Sequence, residues 1–500
     1  MEDLFSSLGH LFSPVPLCLM LLGTFLGITA GAIPGLTGAM LISLTLPLTF
    51  GMDGADAMVL LVSMYVGSVS GGLVTATLLN IPGTPASIMT TLDGYPLARS
   101  GQAGRALGLG ISASFAGSMV SWCVLVVLAR PVAELSTKLG PFEFFSLVLI
   151  ALVLIASVAG RSLLRGLLAG CLGVVASLPG VSPSSGELRW TLGFPELSGG
   201  LKLLPVLIGV FAVSQVIRDI VRIDETVQPL DVSRRGMFLA RRDWREQAAN
   251  LLRSSFIGTA VGILPGIGAN IGSILAYSTA RNRSRHPERF GKGSEEGIVA
   301  AEAANSATVG GALVPLVALG IPGSLIDAIL LGALVVHGLQ PGPLLFEQHA
   351  DVVYTIMATL FLSSCCMLGL LAVAIRPIAW LLSVPRAFLV PAILVFCVVG
   401  SYALSSRMFD VWVMLAFGLV GSSMRRARIP LAPFVIGFVL APVAEENLAA
   451  GLMQSDGSYW PLLTRPVSLL FLLVSLALLV RPLHRRWRGN RTEEEKACDS

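Results

Sequence analysis

The chain has 500 residues, of which 54% are hydrophobic and 13% charged, and its mean hydropathy is +0.79. These values exclude an ordinary soluble domain and a disordered chain and place the sequence among multi-pass membrane proteins. The formal charge of +4 says little in itself; where the charges lie along the chain matters more.

From Leu17 to Phe50 runs an apolar segment broken in its middle by Ile33-Pro34-Gly35. No Lys or Arg precedes Arg99, so the first apolar run lacks the basic flank of a signal peptide and reads as mature membrane structure. The loop Gly51–Asp56 is acidic. A membrane-length helix is predicted from about Ala57 to Leu79, stopping at Asn80-Ile81-Pro82-Gly83. Asp93, beside Gly94-Tyr95-Pro96, reads as a turn cap in a loop that also carries Arg99 and Arg105. Apolar spans near 106–129, 143–159, 163–178 and 200–217 complete a first half, residues 1–217. Residues 218–250 mix arginines with acids, which suits a solvated cytoplasmic linker better than a nucleic-acid arm.

The second half, residues 251–443, opens on the stretch around which the chain is organised. Leu252–Ala280 is apolar but interrupted by Leu264-Pro265-Gly266, with Arg241, Arg242 and Arg245 before it and Arg281, Arg283 and Arg285 after it. Each arm spans roughly 20 Å at 1.5 Å per residue, too short for a hydrocarbon core of about 30 Å. Basic residues at both ends predict a re-entrant hairpin that turns inside the membrane. Backbone unwound at that depth must be buried in protein or line a wet cavity. A second long segment climbs from Ile298 to Gly320, breaks at Ile321-Pro322-Gly323 and resumes to Val336; the loop His337–Asp351 has no Lys or Arg. Spans near 352–375, 387–404, 408–423 and 430–443 follow. An extra C-terminal helix lies within 444–480 and a basic tail occupies 481–500. The positive-inside rule then puts the N-terminus outside and the linker and tail inside, with about 11 crossings and two hairpins.

The halves share a pattern. Gly27-x3-Gly31-x2-Pro34-Gly35 matches Gly258-x3-Gly262-x2-Pro265-Gly266, and Gly71-Gly72 with Ile81-Pro82-Gly83 matches Gly310-Gly311 with Ile321-Pro322-Gly323. Flanking charges at matching loops are opposite. The expected architecture is therefore all-α and polytopic, with two inverted-topology repeats, each holding a Pro-Gly hairpin and an Ile-Pro-Gly-broken helix. Interrupted segments at matching positions of inverted halves point to a secondary transporter.

A broken helix exposes N–H groups at the start of its second part, where the dipole favours an anion. Four such starts are predicted: Pro34-Gly35 with Thr37 and Gly38; Pro82-Gly83 with Thr84 and Ser87, just after Asn80; Pro265-Gly266 with Gly268 and Asn270; and Pro322-Gly323 with Ser324. These ends suit carboxylates, and the carbonyls that close the preceding segments could hold Na⁺. Glu302 and Asn305, three apart, share a helix face of small residues. Glu302 either couples protons or Na⁺, or sits at the cytoplasmic mouth paired with Lys292 or an arginine. Asp327 has the same two readings. His337 and His349 have no partners at metal-ligand spacing, and the cysteines suggest no disulfide framework; no cofactor or metal site is expected beyond Na⁺ or H⁺ as coupling ion. There is no G-x4-G-K-[ST] run for ATP hydrolysis, and no H-E-x-x-H or G-x-S-x-G for an intramembrane enzyme.

At these residues the chain resembles the large membrane subunit of the tripartite tricarboxylate transporter family. The resemblance rests on Gly-x3-Gly-x2-Pro-Gly-Leu at 27–36, Leu-Leu-Asn-Ile-Pro-Gly-Thr at 78–84 and Asp-Gly-Tyr-Pro-Leu-Ala at 93–98. The second half adds Leu-Pro-Gly-Ile-Gly-Ala at 264–269, Glu-Gly-Ile-Val-Ala-Ala-Glu-Ala-Ala-Asn at 296–305, Leu-Gly-Ile-Pro-Gly-Ser at 319–324 and His-Gly-Leu-Gln-Pro-Gly-Pro at 337–343. It implies a permease of the bacterial inner membrane that imports citrate-like or other organic carboxylates on an ion gradient. Its partners would be a small four-helix membrane subunit and a periplasmic substrate-binding protein. Two positions depart from the family pattern: Ser70-Gly71-Gly72-Leu73 stands where Tyr-Gly-Gly-Ser is usual, and Ser306 where a second Asn is usual.

Overall fold

A computed structural model describes residues 2–33, 35–158, 162–182, 184–221, 230, 236–237, 239–266, 268–381, 386–403 and 405–480. Most of the 218–240 part of the expected linker, the 481–500 tail and the predicted site residue Pro34 lie outside the described residues. The chain is almost wholly helical. In order come α1 (Glu2–Leu11), α2 (Pro14–Ala32), α3 (Gly38–Thr45), α4 (Gly54–Leu79), α5 (Ile88–Leu97), α6 (Ala103–Ser136), α7 (Pro141–Val158) and α8 (Leu163–Ser177). A short antiparallel pair, Gly180–Val181 with Leu188–Arg189, precedes α9 (Leu203–Ile208) and α10 (Ser214–Val221). Then follow α11 (Arg241–Ile263), α12 (Gly268–Arg283), α13 (Glu295–Leu319), α14 (Leu325–Val336), α15 (Pro343–Gln348), α16 (Ala350–Leu381), α17 (Arg386–Ala403), α18 (Met408–Arg426), α19 (Leu431–Gln454) and α20 (Pro461–Thr464). Among the described residues 8 helices are long and apolar enough to cross a membrane, and shorter apolar helices accompany them. The protein is an all-α, multi-pass membrane protein.

Two compact units form, residues 1–136 with 202–422 and residues 137–201 with 423–500. The first holds both hairpins and both broken helices. The second is knit by close backbone approach: a Cβ on Gly437 would lie 2.5 Å from the Gly170 carbonyl oxygen. Arg189 grips Glu445 through both carboxylate oxygens at 2.9 and 2.6 Å.

Within the first unit the two repeats share a set of close backbone contacts. On the hairpin helices, Gly27 faces the Met64 carbonyl and Gly31 that of Ser68, while Gly258 faces the Ala304 carbonyl and Gly262 that of Thr308. Gly71 faces the Ile28 carbonyl as Gly311 faces that of Thr259, and Gly83 faces the Gly31 carbonyl as Gly323 faces that of Gly262. One constant offset carries Gly27, Ile28 and Gly31 onto Gly258, Thr259 and Gly262. A second carries Met64, Ser68, Gly71 and Gly83 onto Ala304, Thr308, Gly311 and Gly323. Side chains obey it too: Ser68 Oγ donates to the Tyr65 carbonyl at 2.9 Å, and Thr308 Oγ1 to that of Asn305 at 2.6 Å. Only glycine lets backbones meet this closely, which is why the motif is glycine-rich.

The contacts correct two sequence expectations. Gly71-Gly72 does not pair with Gly310-Gly311 in register: Gly71 corresponds to Gly311, whereas Gly310 turns to α6, where its Cβ would meet Ser121 Oγ at 2.5 Å. The second hairpin helix also begins at Arg241, well before Leu252. Asp243 in its first turn accepts the Ala240 N–H at 2.7 Å, so polar residues extend a helix whose apolar part starts later.

Candidate functional site

The four breaks form by the same local chemistry. Helix α4 ends at Asn80 with φ 56° and α13 at Gly320 with φ 68°, both left-handed closures that Asn and Gly tolerate best. Beyond Pro82 and Pro322 the chain is extended at Thr84 and Ser324 and then winds again. Ser324 Oγ accepts the Asp327 N–H at 3.4 Å, while Thr84 Oγ1 and Ser87 Oγ bond to each other at 2.9 Å. In the hairpins, Gly35 with φ 101°, Gly266 with φ 76° and Gly268 with φ 68° make turns that residues with a Cβ disfavour. Thr37 Oγ1 then caps α3 by accepting the Met40 N–H at 3.2 Å.

Tips and breaks come together. The Gly266 N–H donates to the Gly323 carbonyl at 2.8 Å, tying the second hairpin tip to the second broken helix. Gly83 stands against Gly31 at the corresponding place in the first repeat. The repeats also interlock crosswise. A Cβ on Gly38, at the start of α3, would lie 3.2 Å from Ile326 of α14, and α12 packs against the Pro85–Ser87 turn. Each second hairpin arm thus meets the segment beyond the break of the opposite repeat.

Not every predicted residue turns inward. Gly38, Gly83, Ser87, Glu302, Asn305, Pro322 and Gly323 are buried; Gly35, Thr37, Thr84, Pro265, Gly266, Gly268 and Ser324 are half-buried; Asn80, Pro82 and Asn270 are exposed. Asp219 of α10 stands beside the first break, its carboxylate 3.1 Å from where a Gly35 Cβ would be. That end of the site therefore already faces an acid of the chain itself.

Three buried carboxylates surround these elements. Glu302, with 0% exposure, accepts hydrogen bonds from Thr90 of α5 and, at 3.2 Å, from Ser114 of α6. Among the described residues neither Lys292 nor an arginine forms an ion pair with Glu302. Asn305 lies beside that carboxylate, but its amide oxygen and nitrogen reach no hydrogen-bond geometry. Asp93 does cap a turn, in the other repeat: its Oδ1 accepts the N–H groups of Gly291, Lys292, Gly293 and Ser294 at 2.8, 3.1, 2.9 and 2.8 Å. Tyr277 of α12 donates to its Oδ2 at 2.8 Å. Asp327, also 0% exposed, has Ser324 beside its carboxylate, but neither oxygen reaches hydrogen-bond geometry.

Sequence reasoning did not single out Tyr65, Thr90, Ser114 or Tyr277. For Tyr65 a signal existed: the repeat offset makes it the counterpart of Asn305, and its hydroxyl lies 3.2 Å from Ser324 Oγ. Thr90, Ser114 and Tyr277 carry no such mark. Among the described residues no cluster of three metal-ligating side chains forms, and His337 Nε2 instead meets Thr49 Oγ1 at 3.0 Å.

The family model described as the tripartite tricarboxylate transporter TctA family matches residues 17–436. A relative in Agrobacterium vitis, an uncharacterized 52.8 kDa protein from the TAR-I ttuC′ 3′ region, is 32% identical over 496 residues, covering 98% of each chain. An uncharacterized protein from the TAR-II ttuC′ 3′ region of the same organism is 30% identical over 236 residues, covering 47% of this chain and 98% of its own. No solved structure matches.

Proposed function

Because the chain belongs to the tripartite tricarboxylate transporter TctA family, we propose that it is the permease subunit that imports a tricarboxylate or other organic carboxylate, coupled to Na⁺ or H⁺. The coupling ion is the only cofactor-like species in this reading, and no chemical reaction is catalysed. The working complex adds a small four-helix membrane subunit and a periplasmic substrate-binding protein in the bacterial inner membrane. The N-terminus faces the periplasm and the C-terminus the cytoplasm.

The observation that carries this reading is that hairpins and helix breaks meet within each of two contact-matched repeats, while each second hairpin arm crosses to the segment beyond the opposite break. The helix starts, where the dipole favours an anion, with Thr84, Ser87 and Ser324 hydroxyls beside them, form a cradle for carboxylate oxygens. Glu302 and Asn305 flank the path on α13. Two matched halves around one site can expose it alternately to the two faces by rocking one half-bundle against the other.

The test is uptake of labelled di- and tricarboxylates into proteoliposomes holding the chain, its small subunit and a candidate binding protein, under separate Na⁺ and pH gradients. Accumulation that follows one gradient and is lost in Gly266→Val supports the reading. Equilibration without accumulation under either gradient would make the protein a passive channel.

A further inference from the structure

We propose that Asp327 is where the coupling cation binds, a site distinct from Glu302, and this rests on the transport reading above. The two buried acids differ in how they are satisfied. Glu302 already accepts from two hydroxyls, as a buried carboxylate needs. Asp327 is fully buried at the first turn of α14; the Ser324 hydroxyl and backbone N–H lie beside its carboxylate, but neither reaches hydrogen-bond geometry with its oxygens. A charge left so in a low-dielectric interior is costly unless a cation compensates it.

The repeat shows that the acid is an addition and not part of the common scaffold. The offset that carries Thr84 onto Ser324 carries Ser87 onto Asp327. In the first repeat the pair is neutral and closed on itself, with Thr84 and Ser87 hydroxyls bonded at 2.9 Å. In the second, the corresponding hydroxyl of Ser324 bonds to Tyr65 at 3.2 Å, and the acid beside it stays open. Ser324 Oγ and Tyr65 Oη add neutral oxygen atoms beside Asp327, the donor type a sodium ion takes; a proton needs only one carboxylate oxygen.

Tyr65 is the one titratable group that α4 brings to Asp327. The packed helices α3 and α9 contain no titratable residue. The acids of α13 are Glu295 and Glu296 in its first turn and Glu302, which is engaged by Thr90 and Ser114. No basic side chain is paired with Asp327 among the described residues, so a mobile cation is what remains to neutralise it.

The full chain, purified in detergent, is titrated with NaCl against choline chloride at constant ionic strength while Tm is followed. In parallel, proton uptake is measured in weak buffer between pH 8 and pH 5. The wild type should show either a saturating Na⁺-dependent rise in Tm or one more proton taken up than Asp327→Asn takes up; the first outcome identifies sodium and the second the proton. Asp327→Asn should abolish whichever response is seen, and Asp351→Asn, an exposed acid at the start of α16, should not. Asp327→Ser, which copies Ser87, replaces the Asn variant should that fail to fold. Identical sodium response and proton uptake in wild type and variant would overturn the proposal. Because no carboxylate is present, failure of the transport reading would show separately, as absent uptake in proteoliposomes.

Discussion

The Asp93 carboxylate fixes where α13 begins, and its removal has a local and measurable consequence. Four consecutive N–H groups, from Gly291 to Ser294, converge on Oδ1 at 2.8 to 3.1 Å, and Tyr277 holds Oδ2 at 2.8 Å. A hydrogen bond to a charged group contributes about 1.5–3 kcal/mol, but four donors sharing one oxygen do not add. We therefore take roughly 4 kcal/mol for the loss in Asp93→Ala, with the turn's amides left to solvent. A tenfold change corresponds to about 1.4 kcal/mol, so hydrogen exchange at Gly291–Ser294 should quicken on the order of a thousandfold. Asp93→Asn keeps one oxygen for the amides and can turn its nitrogen to the Tyr277 oxygen, so it should lose only about 1.5 kcal/mol and exchange about tenfold faster. Exchange mass spectrometry on the peptide covering 286–297 reads both. Wild-type protection of these amides in Asp93→Ala would refute the assigned capping role.

Other perturbations have equally definite outcomes. Arg105 binds Asp243 at 2.9 and 2.7 Å and Glu295 at 2.9 Å through both oxygens, so Arg105→Met should destabilise the chain by about 2 kcal/mol, seen as a lower Tm. The same hydrogen bonding from Arg105 lowers the Asp243 pKa from 3.8 to about 2. A depressed carboxylate stabilises the fold above its unfolded value, so that contribution should persist above about pH 4 and vanish as pH falls to about 2, and Arg105→Met should flatten this part of the acid-stability curve. Gly31→Ala and Gly262→Ala press a methyl group onto matching backbone sites, and each should lower stability by about 1–3 kcal/mol; Gly51→Ala, with nothing within 4 Å, should not. Thermal aggregation of the four proteins compares them directly. Thr90→Val removes a donor from buried Glu302; uptake should fall at least tenfold, while Thr91→Val, whose hydroxyl bonds only its own helix at Ile88, should transport normally.

The parts of this architecture readable from sequence are those where local chemistry decides. Pro-Gly pairs inside apolar runs announce helix breaks because proline removes a donor and glycine admits positive φ. Thus the turns at Gly266 and Gly35 and the closures at Asn80 and Gly320 fall at the breaks read from the motifs. The start of α11 at Arg241 is not legible in hydropathy, which marks only where the helix becomes apolar and not where a capping acid begins it. Register within the repeat slipped by one at Gly310 because a glycine pair looks alike in either frame, and only the packing distinguishes the residue facing α11 from that facing α6. Least legible were the partners of the buried acids. Thr90 stands 212 positions from Glu302, and the turn held by Asp93 begins 198 positions away. Pairings of that range follow from tertiary packing, to which local pattern is blind.

Alternating access requires the two contact-matched repeats to insert in opposite directions, so their orientation is the first thing to measure. Single cysteines placed at Gly51 and Gly291, in the loops that follow the two hairpins, would be labelled in a cysteine-free chain with a membrane-impermeant thiol reagent. Intact cells with a permeable outer membrane and inside-out vesicles would be treated in parallel. The account predicts labelling of the Gly51 position only in cells and of the Gly291 position only in vesicles. Labelling of both positions from the same side would contradict the inverted arrangement and, with it, the alternating site built on it.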